Sequence, residues 1–427
     1  MVTTSSAADI RLVASTGARW WQLGFGIVCM VMVANLQLGW TPFVVPIDQK
    51  FHWGRYAIQW AFTIFIVTQT WLVPLHGYLV DRFGPRMMFS AAGILVGAAW
   101  VLNSYADSLL LLYLGAVIGG VGVGIVYGGA IGNVLKWFPD RRGLATGLTA
   151  SGYGAGSVLT VLPIQSMIQT QGYEAAFFWV GLCQGVVVLL VAQLLRAPEP
   201  GEVPMSATTA VPQSRRDYAL PEVAKSPPFW VMYAMFVLVA IGGLMLQAQL
   251  GPMARDYGID KIPVAILGLT FPALTFALAL ERFCNGVTRP IFGWISDRIG
   301  RENTMFMVFL LEALAIYAWL SFAHDPLLFV ILSGLVFLAW GEIFALFPAL
   351  CADLYGRKFA TANYGLLYTA KGIAASTIPL ANLLPAGTES WRMVFMIAAG
   401  LDVVAALLAL AALKPLRKRL MAKDKQI

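Results

Sequence analysis

The 427-residue sequence is 59% hydrophobic and only 12% charged, against roughly 45–50% and about 25% in ordinary soluble domains. With a mean hydropathy of +0.73 it has too little charge to cover a water-facing surface, which excludes a soluble multidomain enzyme and leaves a polytopic membrane protein. The net charge of +7 is explained first by basic residues gathered in cytoplasmic loops, so no nucleic-acid partner is expected.

A span needs about 20 mainly apolar residues to cross the hydrocarbon core. In chain order, spans are predicted near 20–45, 57–80, 87–103, 108–135, 144–168 and 174–196. The first continues past 20 apolar residues without an A-x-A cleavage site, so it reads as a retained span and not a signal peptide. Residues 197–228 are rich in Pro, Ser and charge and read as a cytoplasmic linker. Six more spans follow near 229–252, 263–295, 304–323, 327–350, 362–386 and 391–414, the eighth long enough that its first part is read as interfacial. The expected organisation is a six-helix bundle over 1–196, the linker over 197–228 and a second six-helix bundle over 229–427.

The halves also match in sequence. Val73-Pro74-Leu75-His76-Gly77-Tyr78-Leu79-Val80-Asp81-Arg82-Phe83-Gly84 returns 216 residues later as Arg289-Pro290-Ile291-Phe292-Gly293-Trp294-Ile295-Ser296-Asp297-Arg298-Ile299-Gly300, with Pro, Gly, Asp, Arg and Gly coinciding. Internal repetition of this kind marks a two-bundle secondary transporter. Of the 29 Lys and Arg, 21 fall on the side of the tails, linker and repeated loops, five on the other side, and three (Arg282, Arg289 and Lys371) within spans. Both termini are therefore expected inside the cell.

Cofactor chemistry finds no footing. Cys29, Cys183, Cys284 and Cys351 are scattered through apolar segments, as are His52, His76 and His324, so neither a metal site nor a disulfide frame is expected. Gly119, Gly120, Gly122 and Gly124 superficially suggest a phosphate loop, but that motif needs a strand before it and a helix after it. Here they lie inside a span, where small residues let helices approach closely. No catalytic residue or cofactor is expected, and a membrane enzyme is the least supported reading.

The segments GYLVDRFGPR at 77–86 and GWISDRIGR at 293–301 resemble the loop motif of the major facilitator superfamily, which lies between spans 2–3 and 8–9. The resemblance implies an all-α fold of 12 transmembrane helices in two six-helix bundles. Gly77, Asp81, Arg82 and Gly84, with Gly293, Asp297, Arg298 and Gly300, would form its gating motifs. The Asp is suited to cap or pair with a neighbouring helix end, and the Arg to reach an adjacent carboxylate. More specifically, GVGIVYG (122–128), WFPDRRGLATGLTASGYGAG (137–156), CNGVTRPIFGWISDRIGR (284–301), ALFPALCADLYG (345–356) and NYGLLYTAKG (363–372) resemble the oxalate:formate antiporter family.

A charge at the bilayer centre costs at least ~2.5–3.5 kcal/mol, so the three intramembrane cations need an account. Arg289 lies eight residues before Asp297, about 12 Å along the helix, and Lys371 lies 13 residues beyond Lys358, about 20 Å along an opposed one. Val73 occupies the repeat position of Arg289, so the fold repeat does not require that charge. One reading is a buried ion pair with Glu281, Glu312, Glu342 or Asp402. Against it, Glu281 sits roughly 80° and two turns from Arg289, and Glu342 points about 200° from Trp340. Arg282 shares the face of Arg289 further out, and either lies on an entry path or pairs with Glu281 or Glu342; the paired role is favoured. The other reading makes Arg289 and Lys371 a cationic site for a small carboxylate. Tyr368, three residues before Lys371, shares its face, Gln37 and Tyr127 offer polar groups, and Trp340 and Phe344 supply flat walls.

The family resemblance implies the same assignment: the Arg before Pro on span 8 and the Lys on span 11 bind the carboxylates, and Gln37, Tyr127 and Trp340 match the family pattern. Leu38, Phe344 and Tyr368 depart from it, standing where the oxalate carrier has Tyr, Tyr and Trp. The expected function is exchange of small carboxylate anions by alternating access, with oxalate against formate the first choice, by a lipid-embedded protein of the cell inner membrane acting as a monomer. The alternatives are a proton-coupled, pyruvate-like monocarboxylate symporter using Glu281, Glu342 or Asp402, and a non-transporting carboxylate sensor, for which the tails look too short.

Overall fold

The computed structural model describes residues 7–199, 201–203, 211–214, 216–266, 268–377 and 388–424. Helix α1 (Ala7–Leu38) ends sooner than the expected 45, and the chain restarts as a short helix α2 (Thr41–Phe51) with Pro42 in its first turn. Helices α3 (Arg55–Trp71) and α4 (Val73–Phe83) form one pass bent by 48° at Leu72. Pro74 accounts for the bend, since its ring has no N–H and clashes with the carbonyl four residues back. Helices α5 (Pro85–Ser104), α6 (Leu109–Trp137), α7 (Arg142–Gln171) and α8 (Tyr173–Ala192) follow. A short α9 (Leu220–Ala224) precedes α10 (Pro227–Asp256).

The long eighth segment is not one helix. Its first ten residues form a β-hairpin of β1 (Pro263–Ile266) and β2 (Leu269–Pro272), paired from Pro263–Pro272 to Ile266–Leu269, and only then does α11 (Ala273–Ile299) begin. Two prolines frame the hairpin, and β-branched and aromatic residues fill it, which suits a strand better than a helix. Helices α12 (Arg301–Phe322), α13 (Pro326–Trp340), α14 (Ile343–Tyr355), α15 (Ala360–Ala375), α16 (Thr388–Leu408) and α17 (Lys414–Asp424) complete the chain, with a π-helical turn over Ala409–Leu413. The tenth pass breaks at Gly341–Glu342, and the predicted end of the eleventh span, from 378 on, lies outside the described residues.

Among the described residues, eight helical segments are long and apolar enough to cross a membrane, or nine with the bent α3–α4 pair. The passes that fall short are α7, α11 and α15. These helices carry Ala150 and Tyr153, Arg289, and Lys371, so the least lipid-like helices line the protein's centre. Within the first half α5 packs on α8 and α1 on α7; within the second α12 packs on α16 and α11 on α13. The halves meet where α7 lies along α11 and where α3 and α4 lie along α15.

At one end of the molecule, the end bearing both repeated loops, this seam is closed by reciprocal capping. Asp81 Oδ2 accepts from the backbone N–H of Ala362 at 3.0 Å, in the first turn of α15. Asp297 accepts from Gly143 and Leu144 N–H at 2.9 Å each, in the first turn of α7. Each half thus satisfies the orphan N–H groups of a helix in the other, where the helix dipole favours an anion. Gly77 and Gly293 make the approach possible: a Cβ at Gly77 would meet the Thr361 carbonyl, and one at Gly293 the Gly143 carbonyl. Gly84 and Gly300, with positive φ, turn the chain into the next helix.

The repeated arginines do not act as expected. Arg82 is exposed, its donor reaching Tyr78 Oη at 3.4 Å, and Arg298 lies 3.6 Å over the Trp294 ring; among the described residues neither meets a carboxylate. The ion pairs use other cations. Lys136 pairs with Asp81 at 2.6 Å, and Arg301 with Asp297 at 2.7 Å. Buried Asp353 bridges Arg142 of α7 and Arg301 of α12, both at 2.9 Å. The linker straps the same face: Ser214 N–H donates to the Asp353 carbonyl at 2.8 Å, Tyr218 N–H to the Tyr355 carbonyl at 2.9 Å and Gln213 Nε2 to the Pro139 carbonyl at 2.7 Å.

Removing one member of a buried pair leaves the others uncompensated, at about 3–5 kcal/mol. Asp353→Ala is therefore expected to lower Tm sharply in detergent, because buried Arg142 then has no carboxylate partner and Arg301 keeps only Asp297. Arg82→Ala should stay within about 0.5 kcal/mol of wild type, as for other exposed positions. Equal thermal shifts for the two variants would show that the Asp353 bridge does not hold this face.

Candidate functional site

Where α7, α11, α13, α14 and α15 meet α1 and α6, the structure holds a cavity of about 40 Å³, room for only a few water-sized groups. Six of the seven predicted site residues line it: Gln37, Tyr127, Arg289, Trp340, Phe344 and Lys371. The seventh, Tyr368, is fully buried beneath it.

Arg289 projects from α11 across the seam. One guanidinium nitrogen donates to the Ala150 carbonyl of α7 at 2.6 Å and another to Asn285 Oδ1 at 2.7 Å, while Nε is buried without a partner. Lys371 of α15 donates to Tyr368 Oη at 3.1 Å and to Gln37 Oε1 at 3.4 Å. Gln37 is held in turn by the Tyr153 hydroxyl at 2.8 Å, and Tyr153 by Gln69 Nε2 at 3.2 Å. Arg289 and Lys371 are 4% exposed each. All of these partners are neutral, and no ion pair between either cation and a carboxylate occurs among the described residues.

The aromatic groups divide into floor and wall. The Phe344 ring lies 4.7 Å from the Arg289 guanidinium and 5.7 Å from Lys371 Nζ. It is thus more than an apolar wall, since its face offers both cations the negative side of a quadrupole. Tyr368 stacks on Tyr127 at 4.6 Å, and Tyr127 meets Tyr153 edge-on at 5.1 Å. Trp340 stands edge-on to Phe344 at 5.6 Å and donates Nε1–H to the Val239 carbonyl at 3.1 Å. A Cβ at Gly243 would overlap its indole, so that glycine lets α10 pass beneath it.

None of the four proposed acids pairs with the two cations. Glu281 lines the cavity and accepts from Gln247 Nε2 at 2.7 Å. Glu312, Glu342 and Asp402 are fully buried, and neither oxygen of any of them has a hydrogen-bond partner. The paired role favoured for Arg282 is not found either, because it lines the cavity with no ion pair to Glu281 or Glu342. Three polar lining residues were missed from sequence: Asn285, Tyr153 and Gln247. Asn285 had a signal, since it lies one turn from Arg289 on the same face. Tyr153 stands in the GLTASGYGAG run; Gln247 had none.

A family profile described as Major Facilitator Superfamily matches residues 23–283 and 262–426. The chain is 35% identical over 396 residues to the oxalate:formate antiporter of Oxalobacter formigenes, covering 92% of this chain and 91% of that one. It is 26% identical over 254 residues to human monocarboxylate transporter 11, covering 59% and 51%. In fold it is similar to the proton:xylose symporter XylE bound to 6-bromo-6-deoxy-D-glucose, with a TM-score of 0.70, 13% identity, and 93% and 96% of the two chains covered. The family profile spans nearly all the described helices, and the fold agrees with it: the chain is an integral membrane protein of the Major Facilitator Superfamily.

Proposed function

We propose that the protein is an antiporter of small carboxylate anions, exchanging oxalate for formate, and not an enzyme. One observation carries this reading: Arg289 and Lys371 share a small buried cavity, and no carboxylate among the described residues is paired to either. Burying an unpaired ion costs several kcal/mol. With the cavity empty, closing it at both ends would strand two such ions. A bound dicarboxylate cancels both, since its two carboxylate charges match one guanidinium and one ammonium. Formate cancels one charge and leaves the other over that ring. The closed intermediate is therefore accessible when loaded and costly when empty, which gives exchange and not uniport.

Bundles 1–196 and 229–427 would rock about this cavity, with residues 197–228 as the linker. The repeated-loop face is taken as cytoplasmic, with both termini inside the cell, because it carries 21 of the 29 Lys and Arg. The closed capping there then makes the present state one that faces outward. A single chain in the lipid of the cell inner membrane contains every residue the cycle uses.

Glu312, Glu342 and Asp402, without hydrogen-bond partners, support a second reading as a proton-coupled monocarboxylate symporter. Proteoliposomes separate the two. Uptake of labelled oxalate that requires oxalate or formate inside supports exchange; pH-driven uptake into empty vesicles supports symport and sinks exchange.

Arg289→Gln and Lys371→Gln are each expected to reduce exchange at least tenfold, since a charge-assisted hydrogen bond contributes about 1.5–3 kcal/mol. Intact exchange in both variants would overturn the site assignment. Asn285→Asp places a carboxylate where Asn285 Oδ1 now sits, 2.7 Å from Arg289. It should fold, retain its Tm and lose oxalate binding by equilibrium titration, because the cation is then neutralised from within.

A further inference from the structure

Arg282 is the third intramembrane cation, and the exchange reading gives it no task. It lies on α11 seven residues before Arg289, about 10 Å along the same helix face, and both line the one cavity. It is half-buried and has no hydrogen bond or ion pair among the described residues. Its neighbour Glu281 also lines the cavity, with one oxygen engaged by Gln247 Nε2 at 2.7 Å.

Position decides what such a charge can do. The repeated-loop face is shut by Asp81, Asp297 and Asp353. From Arg289 the lining continues away from that face, through Asn285 to Glu281, Arg282, Leu244 and Gln247. Anything entering from the opposite side meets Arg282 before it meets Arg289 or Lys371. We propose that Arg282 is an outer capture position for a small carboxylate, a separate stop occupied before transfer to the Arg289–Lys371 pair. The proposal rests on the exchange reading for its substrate but makes its own kinetic claim: Arg282 sets how fast external anion arrives, and the inner pair sets how long it stays. A partly desolvated guanidinium in a low-dielectric mouth both steers an anion and offers it two parallel hydrogen bonds.

The test is stopped-flow intrinsic tryptophan fluorescence of the purified protein mixed with oxalate, run beside oxalate exchange in proteoliposomes. Arg282→Gln should slow association about tenfold, the size of one lost charge-assisted contact, with dissociation within about twofold. Arg289→Gln should instead speed dissociation. Raising ionic strength from about 0.01 to 0.15 M shortens the Debye length from about 30 to 8 Å, so it should slow association in wild type and much less in Arg282→Gln. Wild-type association and salt dependence in Arg282→Gln would overturn the proposal. So would a variant whose slowed binding comes with a lowered Tm and is rescued by Glu281→Gln, which would make Arg282 a partner of Glu281. A wild-type protein that binds oxalate but does not exchange it overturns the exchange reading and leaves the Arg282 result standing. Absence of any oxalate or formate binding overturns both.

Discussion

The structure is organised around two cations that the membrane interior would expel and with which no carboxylate among the described residues forms an ion pair. Their cost explains which helices are polar. Among the described residues, α7, α11 and α15 are the passes not long and apolar enough to count as membrane spans, and they form the walls that hold Arg289 and Lys371. The neutral partners, the Ala150 carbonyl, Asn285, Gln37 and Tyr368, place the charges without cancelling them. A buried ion pair would have been cheaper to hold and useless for binding an anion. On the exchange reading, a bound anion restores the neutrality that the protein's own partners leave open.

The means of closing the cavity follows from the internal repeat. A sequence element used twice, 216 residues apart, puts one aspartate at the end of α4 and another at the end of α11, and each caps a helix belonging to the other half. These bonds satisfy N–H groups at helix starts, so opening this face exposes them to water and does not leave them buried and unpaired. The closed state can therefore be strong without being a trap. The Arg142–Asp353–Arg301 bridge adds a buried element to one side of the seam only, which breaks the symmetry that the repeat alone would impose.

Much of this was legible in the sequence, for identifiable reasons. Twelve passes and the two-fold repeat follow from hydropathy and spacing, and Arg289 and Lys371 stood out because intramembrane charge is expensive wherever it occurs. The failures have separate causes. Arg82 and Arg298 looked like the motif's charge carriers, but Lys136, on another helix, and Arg301, one turn beyond Asp297, reach the aspartates. Arg282 was expected to pair with Glu281 or Glu342; Gln247, 34 residues before Glu281, holds that glutamate instead. The hairpin at Pro263–Pro272 was absorbed into an apolar run because a short apolar strand and a helix segment cannot be told apart by hydropathy.

The aromatic positions at which the chain departs from the oxalate carrier pattern can be read through the same electrostatics. A tryptophan in place of Tyr368 would offer only a donor and could not accept from Lys371; the tyrosine hydroxyl does, at 3.1 Å. That bond brings the ammonium to the edge of the Phe344 face, whose other neighbour is Arg289. Phe344, in turn, lacks the hydroxyl a tyrosine would present to the ligand. Sites that hydrogen-bond a substrate hydroxyl or carboxyl with buried polar groups reject analogues by large factors, whereas apolar walls discriminate by only about 1–3 kcal/mol. Moving the hydroxyl from the wall to the support of the lysine therefore transfers selectivity from hydrogen-bond matching to charge and size. On the proposed exchange reading, a cavity built this way would admit small flat carboxylates as a class and exclude larger ones by volume. Within that class it would rank anions chiefly by how much of the Arg289–Lys371 charge they neutralise.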